Sequence, residues 1–127
     1  MAWPRTHKYL LWAAATDATF RRKGEQIVGK CLHCRRKLAL TVRGEPVSDA
    51  TLEHIVPRNH GGTYAIENLA VACKRCNNGK GHRHDHKRAD DPKLQAVIAI
   101  LRERREERRR EAPRDWSLPP YPGPAPN

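Results

Sequence analysis

The first apolar pattern in the chain has the period of an α-helix. Apolar and small side chains recur every three or four residues over 6–23, and Gly24 follows as a stop signal. The pattern predicts an N-terminal helix over 6–23. Its core-facing positions are Tyr9, Trp12, Ala13, Thr16 and Phe20.

Two short apolar segments in the middle of the chain have strand character. Residues 38–42 and 51–55 are separated by Gly, Pro, Ser and Asp, which favour a turn. We therefore predict that the two segments pair as a hairpin. Residues 56–68 are rich in turn-forming residues and predict a loop.

Helical patterns return in the second half of the chain. A short helix is predicted over 74–83 and a longer one over 92–111, where Pro92 suits the first turn. The longer helix has one apolar stripe, formed by Leu94, Val97, Ile98 and Leu101. Beyond this stripe, a run of Arg and Glu predicts a solvated face. Residues 112–127 are rich in Pro and predict an extended or disordered tail.

These elements predict a single small α+β protein with flanking segments. The expected divisions are an N-terminal helix and lead-in over 1–30, a central domain over 31–88, a charged helix over 89–112 and a Pro-rich flexible tail over 113–127. Only 38% of the 127 residues are hydrophobic and Phe occurs once. Such a core is thin, so a bound metal would help to stabilise it.

The charge of the chain indicates a polyanionic partner. The net charge is +11, which favours nucleic acid. Residues 1–90 contain 17 Lys and Arg against 8 Asp and Glu, whereas residues 91–127 contain 8 against 6. The DNA-facing charge is therefore expected in the first 90 residues. We expect no membrane association, because no apolar run is long enough to span one, and we expect a reducing cytoplasm, because no signal-peptide pattern is present.

Four cysteines form two Cys-x-x-Cys pairs, Cys31 with Cys34 and Cys73 with Cys76. Each two-residue gap lets one tight turn present two sulfurs to one ion, and zinc prefers four tetrahedral ligands. A redox role would need only one pair. The pattern therefore predicts a structural zinc site, closed to substrate by its four thiolates.

Polar residues between and beyond the cysteine pairs carry a candidate active site. A neutral His54 can take a proton from water near pH 7, while Glu53 and Asn77 can supply oxygen ligands to a hard divalent cation. Adjacent strand residues point to opposite sides, so Glu53 and His54 share one direction only where the strand ends and twists.

The order of these residues closely resembles the HNH endonuclease family. Over residues 31–81, an acid-His pair precedes an apolar-x-Pro step, a Gly-Gly loop, Asn-Leu and Cys-x-x-Cys-Asn-x-x-Lys. The resemblance implies the ββα-metal (His-Me finger) fold of this family, here stabilised by a four-cysteine zinc site. It also implies that the acid-His pair lies at the strand-to-loop junction.

The resemblance implies a role for each matched residue. His54 is expected to be the general base, and Glu53 and Asn77 are expected to hold the catalytic ion. Asn68 is expected to tie the loop by hydrogen bonds and so orient His54, and Gly61 and Gly62 to permit the tight loop. Asn rather than His at 77 favours Mg²⁺ or Mn²⁺, with Zn²⁺ or Ni²⁺ as alternatives. The residues expected to contact DNA are Lys80, Lys74, Arg75 and Arg58.

The implied function is metal-dependent cleavage or nicking of double-stranded DNA with weak intrinsic sequence specificity, since phosphate contacts carry no sequence information. Two alternatives stay open: a non-catalytic zinc module that binds nucleic acid, and an accessory factor beside a phage DNA-packaging motor. A protein partner would be expected at the C-terminal helix and tail. The sequence assigns no role to His82, His84 and His86.

Overall fold

The computed structural model describes residues 3–125, which form an α+β fold with two small antiparallel sheets. Helix α1 spans Arg5–Ala15. The first sheet has the order β1-β2-β3-β4. Its strands are β1 (Arg21–Lys23), β2 (Gln26–Lys30), β3 (Lys37–Thr41) and β4 (Pro46–Val47).

The second sheet pairs β5 (Ala50–His54) with β6 (Leu69–Cys73), and two helices follow it. Helix α2 spans Lys74–His84 and helix α3 spans Pro92–Arg108. Three short 3₁₀ turns lie at Arg58–His60, Ile66–Asn68 and Arg114–Trp116. None of the helices within residues 3–125 has the length and apolarity that a membrane crossing requires.

The N-terminal helix is shorter than predicted, because residues 21–23 form strand β1. Asp17 ends the helical path: its carboxylate accepts hydrogen bonds from the backbone N–H and the hydroxyl of Thr19, 2.8 Å each. This local turn competes with helix formation. Gly24, with φ of 61°, then serves the β1–β2 turn instead of a helix end.

The predicted hairpin between 38–42 and 51–55 is wrong. Strand β3 pairs with β2 and β4, and β5 pairs with β6 in the register Leu52↔Val71. The apolar run of β6 is buried along its whole length. Burying this run in the sheet outweighs the short sequence separation that favoured the predicted pairing.

The two later helices agree with the sequence prediction within a few residues. Pro92 begins α3, and the carboxylate of Asp91 caps it by accepting from the N–H groups of Lys93 and Leu94. The predicted stripe faces a core cluster, since Leu94, Ile98 and Leu101 are buried there together with Leu32 and Ile55 of the central domain. A larger cluster joins α1 to both sheets.

The Arg and Glu run of α3 is solvated only in part: Arg102, Glu103, Arg104, Glu106 and Glu107 are exposed, as expected, but two arginines are not. Arg105 and Arg108 are buried, and their guanidinium groups donate to backbone carbonyls of other elements. Arg105 reaches Leu69 O at 2.8 Å and Thr16 O at 2.9 Å. These arginines satisfy carbonyl groups where the elements meet, which sequence periodicity does not reveal.

The Pro-rich tail is described as far as residue 125, with positions 126 and 127 of the predicted segment outside the described residues. Its described part packs on α1, unlike a flexible segment. Trp116 is buried, and the indole N–H of Trp12 donates to Pro119 O at 2.8 Å. The hydroxyl of Tyr9 donates to Gly123 O at 2.7 Å. Aromatic side chains of α1 thus supply the polar partners that hold the tail.

Candidate metal centre and catalytic cleft

The four cysteines converge on one point between the first sheet and α2. Their sulfur atoms all lie within 4.8 Å of one another, and Cys34 Sγ is 3.9 Å from Cys73 Sγ. A tetrahedron with Zn–S bonds of about 2.3 Å has edges of about 3.8 Å. The donor set and its dimensions fit the predicted zinc site. Three backbone segments build it: the turn after β2, the end of β6 and the first turn of α2.

Backbone N–H groups surround these sulfurs. Cys31 Sγ accepts from the N–H of Cys73 at 3.2 Å and of His33 at 3.4 Å. A hydrogen bond from the N–H of Arg36 lowers the pKa of Cys34, whereas burial raises the pKa of Cys31 and of Cys76. Buried thiolates need a compensating cation, and a bound zinc ion would supply it.

Strands β5 and β6 with helix α2 form the ββα unit that carries the other candidate residues. A cleft of about 820 Å³ lies between the end of β5, the following loop and α2. His54, at the end of β5, and Asn77, in the second turn of α2, both line this cleft. The structure thus brings together two predicted site residues that are far apart in sequence.

His54 has the environment of a neutral imidazole. Burial, as the largest cause, and the positive charges of Arg58 and Lys80 together lower its pKa to about 4. Its Nε2 is buried, and within residues 3–125 it has no hydrogen-bond partner. The ring packs edge to face against Tyr64, with 4.5 Å between ring centroids. His54 is therefore unprotonated near pH 7 and has a nitrogen free to accept a proton.

Asn77 is held by its amide nitrogen. Nδ2 donates to Thr51 Oγ1 and to Leu52 O, both at 3.1 Å. Within the described part of the chain, the amide oxygen makes no hydrogen bond, so it is available as a ligand to a hard cation. Thr51 and Leu52 belong to β5, and Asn77 therefore also fixes α2 against that strand.

Glu53 lies on the other side of β5 from His54. The strand stays regular through its last residue, with Glu53↔Ala70 and His54↔Leu69 in register. The expected twist at the strand end is therefore not seen, and side-chain alternation buries Glu53 completely. Its carboxylate contacts His33 Nε2 and Lys80 Nζ, the latter at 3.1 Å. Glu53 is not among the residues that line the cleft.

Lys80 differs from its predicted position as a free phosphate contact. Its side chain is buried, because the ammonium lies 3.1 Å from the Glu53 carboxylate and donates to His54 O at 2.7 Å. The charge of Lys80 is thus matched inside the protein, while part of its side chain borders the cleft.

Asn68 ties together the two ends of the loop that follows β5. Its Oδ1 accepts from Val56 N–H at 2.8 Å, and its Nδ2 donates to Val56 O at 3.2 Å and Thr63 O at 2.9 Å. The loop also uses both predicted glycines: Gly61 has φ of 87°, and a Cβ at Gly62 would overlap the Val56 carbonyl. Asn68 therefore forms the hydrogen bonds that were expected of it.

The remaining predicted DNA contacts are exposed. Arg58 lines the cleft, with its guanidinium 5.3 Å from the centroid of the Tyr64 ring. Lys74 and Arg75 lie on the first turn of α2, outside the cleft lining. Among the three histidines without a predicted role, His82 lines the cleft, His84 is buried and His86 is exposed.

Two residues of the site were not found by sequence reasoning. His33 links the first cysteine pair to Glu53, and Tyr64 packs on His54. The available signal for His33 was its position inside the first cysteine pair. Tyr64 gave no signal beyond being an aromatic residue between the Gly-Gly loop and Asn68.

The fold and the site define a ββα unit with a four-cysteine cluster that fits zinc and a polar cleft beside its first strand. Residues 31–83 match the family model described as HNH endonuclease, in agreement with the resemblance seen in the sequence. No curated protein and no solved structure matches the chain.

Proposed function

We propose that this protein is a metal-dependent endonuclease that hydrolyses phosphodiester bonds in double-stranded DNA. One observation carries the proposal: His54 and Asn77, from two elements of an HNH domain, line the same cleft. The net charge of +11 supports a polyanionic substrate.

In the proposed mechanism, His54 is the general base. A base must be unprotonated to accept the proton of the attacking water, and the low pKa of His54 keeps it so at neutral pH. Tyr64 packs on the ring and Asn68 ties the loop, so both act as positioning residues. Arg58, exposed at the cleft, is the candidate phosphate contact.

Asn77 and Glu53 are the proposed protein ligands of a catalytic divalent cation, which when bound would stabilise negative charge on the phosphate. Asn77 fits this role, because its amide oxygen is free and its amide nitrogen is fixed. Glu53 does not fit as it is placed, because its carboxylate is buried against Lys80 and His33 and is outside the cleft lining. It is a ligand only if it exchanges the ammonium of Lys80 for the cation and turns toward Asn77. Hard oxygen ligands favour Mg²⁺ or Mn²⁺, and the four thiolates are reserved for the structural zinc.

The test is cleavage of supercoiled plasmid DNA with added Mg²⁺ or Mn²⁺, comparing the wild type with His54→Ala. The control is His86→Ala, because His86 is exposed and outside the cleft lining. We expect His54→Ala to lose at least about 100-fold in rate, the usual contribution of a general base, and to keep DNA binding. Binding without cleavage by the wild type would instead favour the non-catalytic zinc module.

A further inference from the structure

The solvent face of the four-stranded sheet carries four cations and no carboxylate. Side chains of residues directly opposite in an antiparallel sheet share a face, and the registers are Arg21↔Val28, Lys23↔Gln26 and Lys30↔Lys37. The other face is the core side, since its central residues Ile27, Leu38 and Leu40 are buried. The four cations on the solvent face are Arg21, Lys23, Lys30 and Lys37, and the other positions are uncharged.

These four side chains are exposed and unneutralised. Within residues 3–125, none of them takes part in an ion pair. Lys30 and Lys37 are directly opposite each other, and like charges at such positions disfavour strand pairing. A bound polyanion would convert this repulsion into attraction.

The basic face is rigidly connected to the zinc site. The ring of Phe20 occupies the space where a Cβ at Gly29 would lie, so the sheet is packed closely on the core behind the face. Lys30 directly precedes Cys31, and Arg108 donates to the carbonyls of both, at 2.9 and 3.2 Å. A ligand on this face is therefore held at a fixed position relative to the HNH domain.

We propose that this sheet face binds the phosphate backbone of duplex DNA and so acts as a second DNA-binding surface, separate from the cleft. Charge complementarity identifies the partner, because duplex DNA carries about one negative charge per 1.7 Å of its axis. Three of the four cations precede the segment matched by the HNH family. The choice of DNA among polyanions rests on the proposed nuclease function, whereas the binding surface itself does not.

The experiment compares two variants that lose the same amount of charge. The sheet variant replaces Arg21, Lys23, Lys30 and Lys37 by Gln. The control variant replaces four other exposed cations by Gln, on or after α3: Lys93, Arg102, Arg109 and Arg114. Binding to a short fluorescent DNA duplex is measured without added divalent ions, between about 50 and 200 mM salt. Zinc content and thermal unfolding verify that both variants fold.

We expect the sheet variant to bind at least tenfold more weakly at the lower salt concentration. Its plot of log K against log salt should lose about three to four units of slope, because each phosphate contact contributes about 0.9. The control variant should keep most of the wild-type slope. Equal losses in the two variants would overturn the proposal, since only net charge would then matter. Unchanged DNA binding, with lost binding to phosphatidylserine vesicles, would overturn it in favour of a lipid surface.

The outcome is separable from the fate of the proposed nuclease. If the wild type binds DNA through this face and cuts nothing, the surface stands and the nuclease proposal fails. If His54→Ala abolishes cutting while the sheet variant binds DNA normally, the nuclease proposal is supported and the proposed binding surface fails.

Discussion

The ring of Tyr64 contacts the imidazole of His54 edge to face, with 4.5 Å between the two ring centroids. The C-terminal tail holds the backbone of Tyr64 at both of its polar groups. The Tyr64 N–H donates to Pro124 O at 2.7 Å, and the Tyr64 carbonyl accepts from the hydroxyl of Tyr121. The tail therefore reaches the proposed general base through a single intervening residue.

We expect Tyr121→Phe to lower kcat several-fold and to leave KM for DNA unchanged. The substitution removes only the hydroxyl that holds the Tyr64 carbonyl, so the His54 ring is less well positioned while the DNA-binding surfaces are intact. Tyr9→Phe is the matched control, because it removes the hydroxyl that holds Gly123 instead. Each variant should lose about 1 kcal/mol of stability. Equal kcat values for the two variants would show that the contact with Tyr64 has no special role.

The pH profile of cleavage should be nearly flat between pH 7 and 5.5. With a pKa of about 4, His54 is almost entirely neutral at pH 5.5, whereas a His of ordinary pKa 6.5 would be about 9% neutral there. The rate at pH 5.5 should stay within about twofold of the rate at pH 7, with zinc content measured at both values. A tenfold fall with a midpoint near pH 6.5 is the contrary result.

The same low pKa makes stability depend on pH in a definite direction. Between about pH 4 and 6.5 the unfolded chain protonates His54 and the folded protein does not, so the unfolded state binds more protons. The contribution of His54 to stability is therefore complete above about pH 6.5 and is lost as the pH falls towards 4. Urea unfolding of the wild type and of His54→Ala across this range isolates the effect. The variant should show a shallower decline.

We expect one zinc ion per chain, and we expect its removal to unfold much of the central domain. The four sulfurs join the first sheet, β6 and α2, and structural zinc sites contribute about 10 kcal/mol or more to folding in small domains. A tight zinc chelator should lower the melting temperature by more than about 10 °C. Added Zn²⁺ should restore it, and added Mg²⁺ should not. If the protein keeps its full stability after verified loss of zinc, then zinc does not stabilise the fold.

The sequence predicted the parts of the molecule whose signal is local. Spacing alone predicted the convergence of the four cysteines, helix α2 and the apolar stripe of α3. A short motif predicted the hydrogen bonds of Asn68. Each depends on residues whose chemistry or periodicity is informative within a few positions. The match over 31–83 confirms the family resemblance, while the roles of the site residues stay predictions.

The parts that the sequence did not predict depend on tertiary contacts. Strand β5 pairs with β6 instead of β3, which is nearer in sequence, and β6 is buried along its whole length. The sequence does not reveal this burial, because it depends on the complete fold. The sequence does not distinguish Arg105 from a surface arginine, because its partner, the carbonyl of Leu69, is distant in sequence. Glu53 follows strand alternation into the interior, where His33 and Lys80 provide partners that no sequence motif indicates.

Replacement of Arg105 by Met should destabilise the protein by about 2–4 kcal/mol. Arg105 is buried and donates to the carbonyls of Leu69 and Thr16, which would lose their partners in the variant. Arg102→Met is the control, because Arg102 is exposed on the same helix. Chemical denaturation measures both, and the control should change by less than about 0.5 kcal/mol. A loss of similar size in the two variants would mean that the carbonyl contacts of Arg105 contribute little.

The buried contact between Glu53 and Lys80 allows a test of what Glu53 does. Glu53→Gln leaves the ammonium of Lys80 buried without its anion, which should cost about 3–5 kcal/mol of stability. Lys80→Met should also destabilise, because the Glu53 carboxylate would then keep only His33. The double variant replaces both charges together. It should be more stable than the sum of the single losses predicts, and chemical denaturation of all four proteins measures this coupling.

Cleavage by the folded double variant then separates a metal ligand from a structural acid. If Glu53 holds the catalytic cation, as proposed, removal of its charge should raise the Mg²⁺ concentration needed for half-maximal cleavage and lower kcat, even where stability is restored. If Glu53 only balances Lys80, the double variant should cut at nearly the wild-type rate with unchanged Mg²⁺ dependence. This second result would remove Glu53 from the proposed cation site and leave Asn77 as its single proposed protein ligand, with His54 still the base.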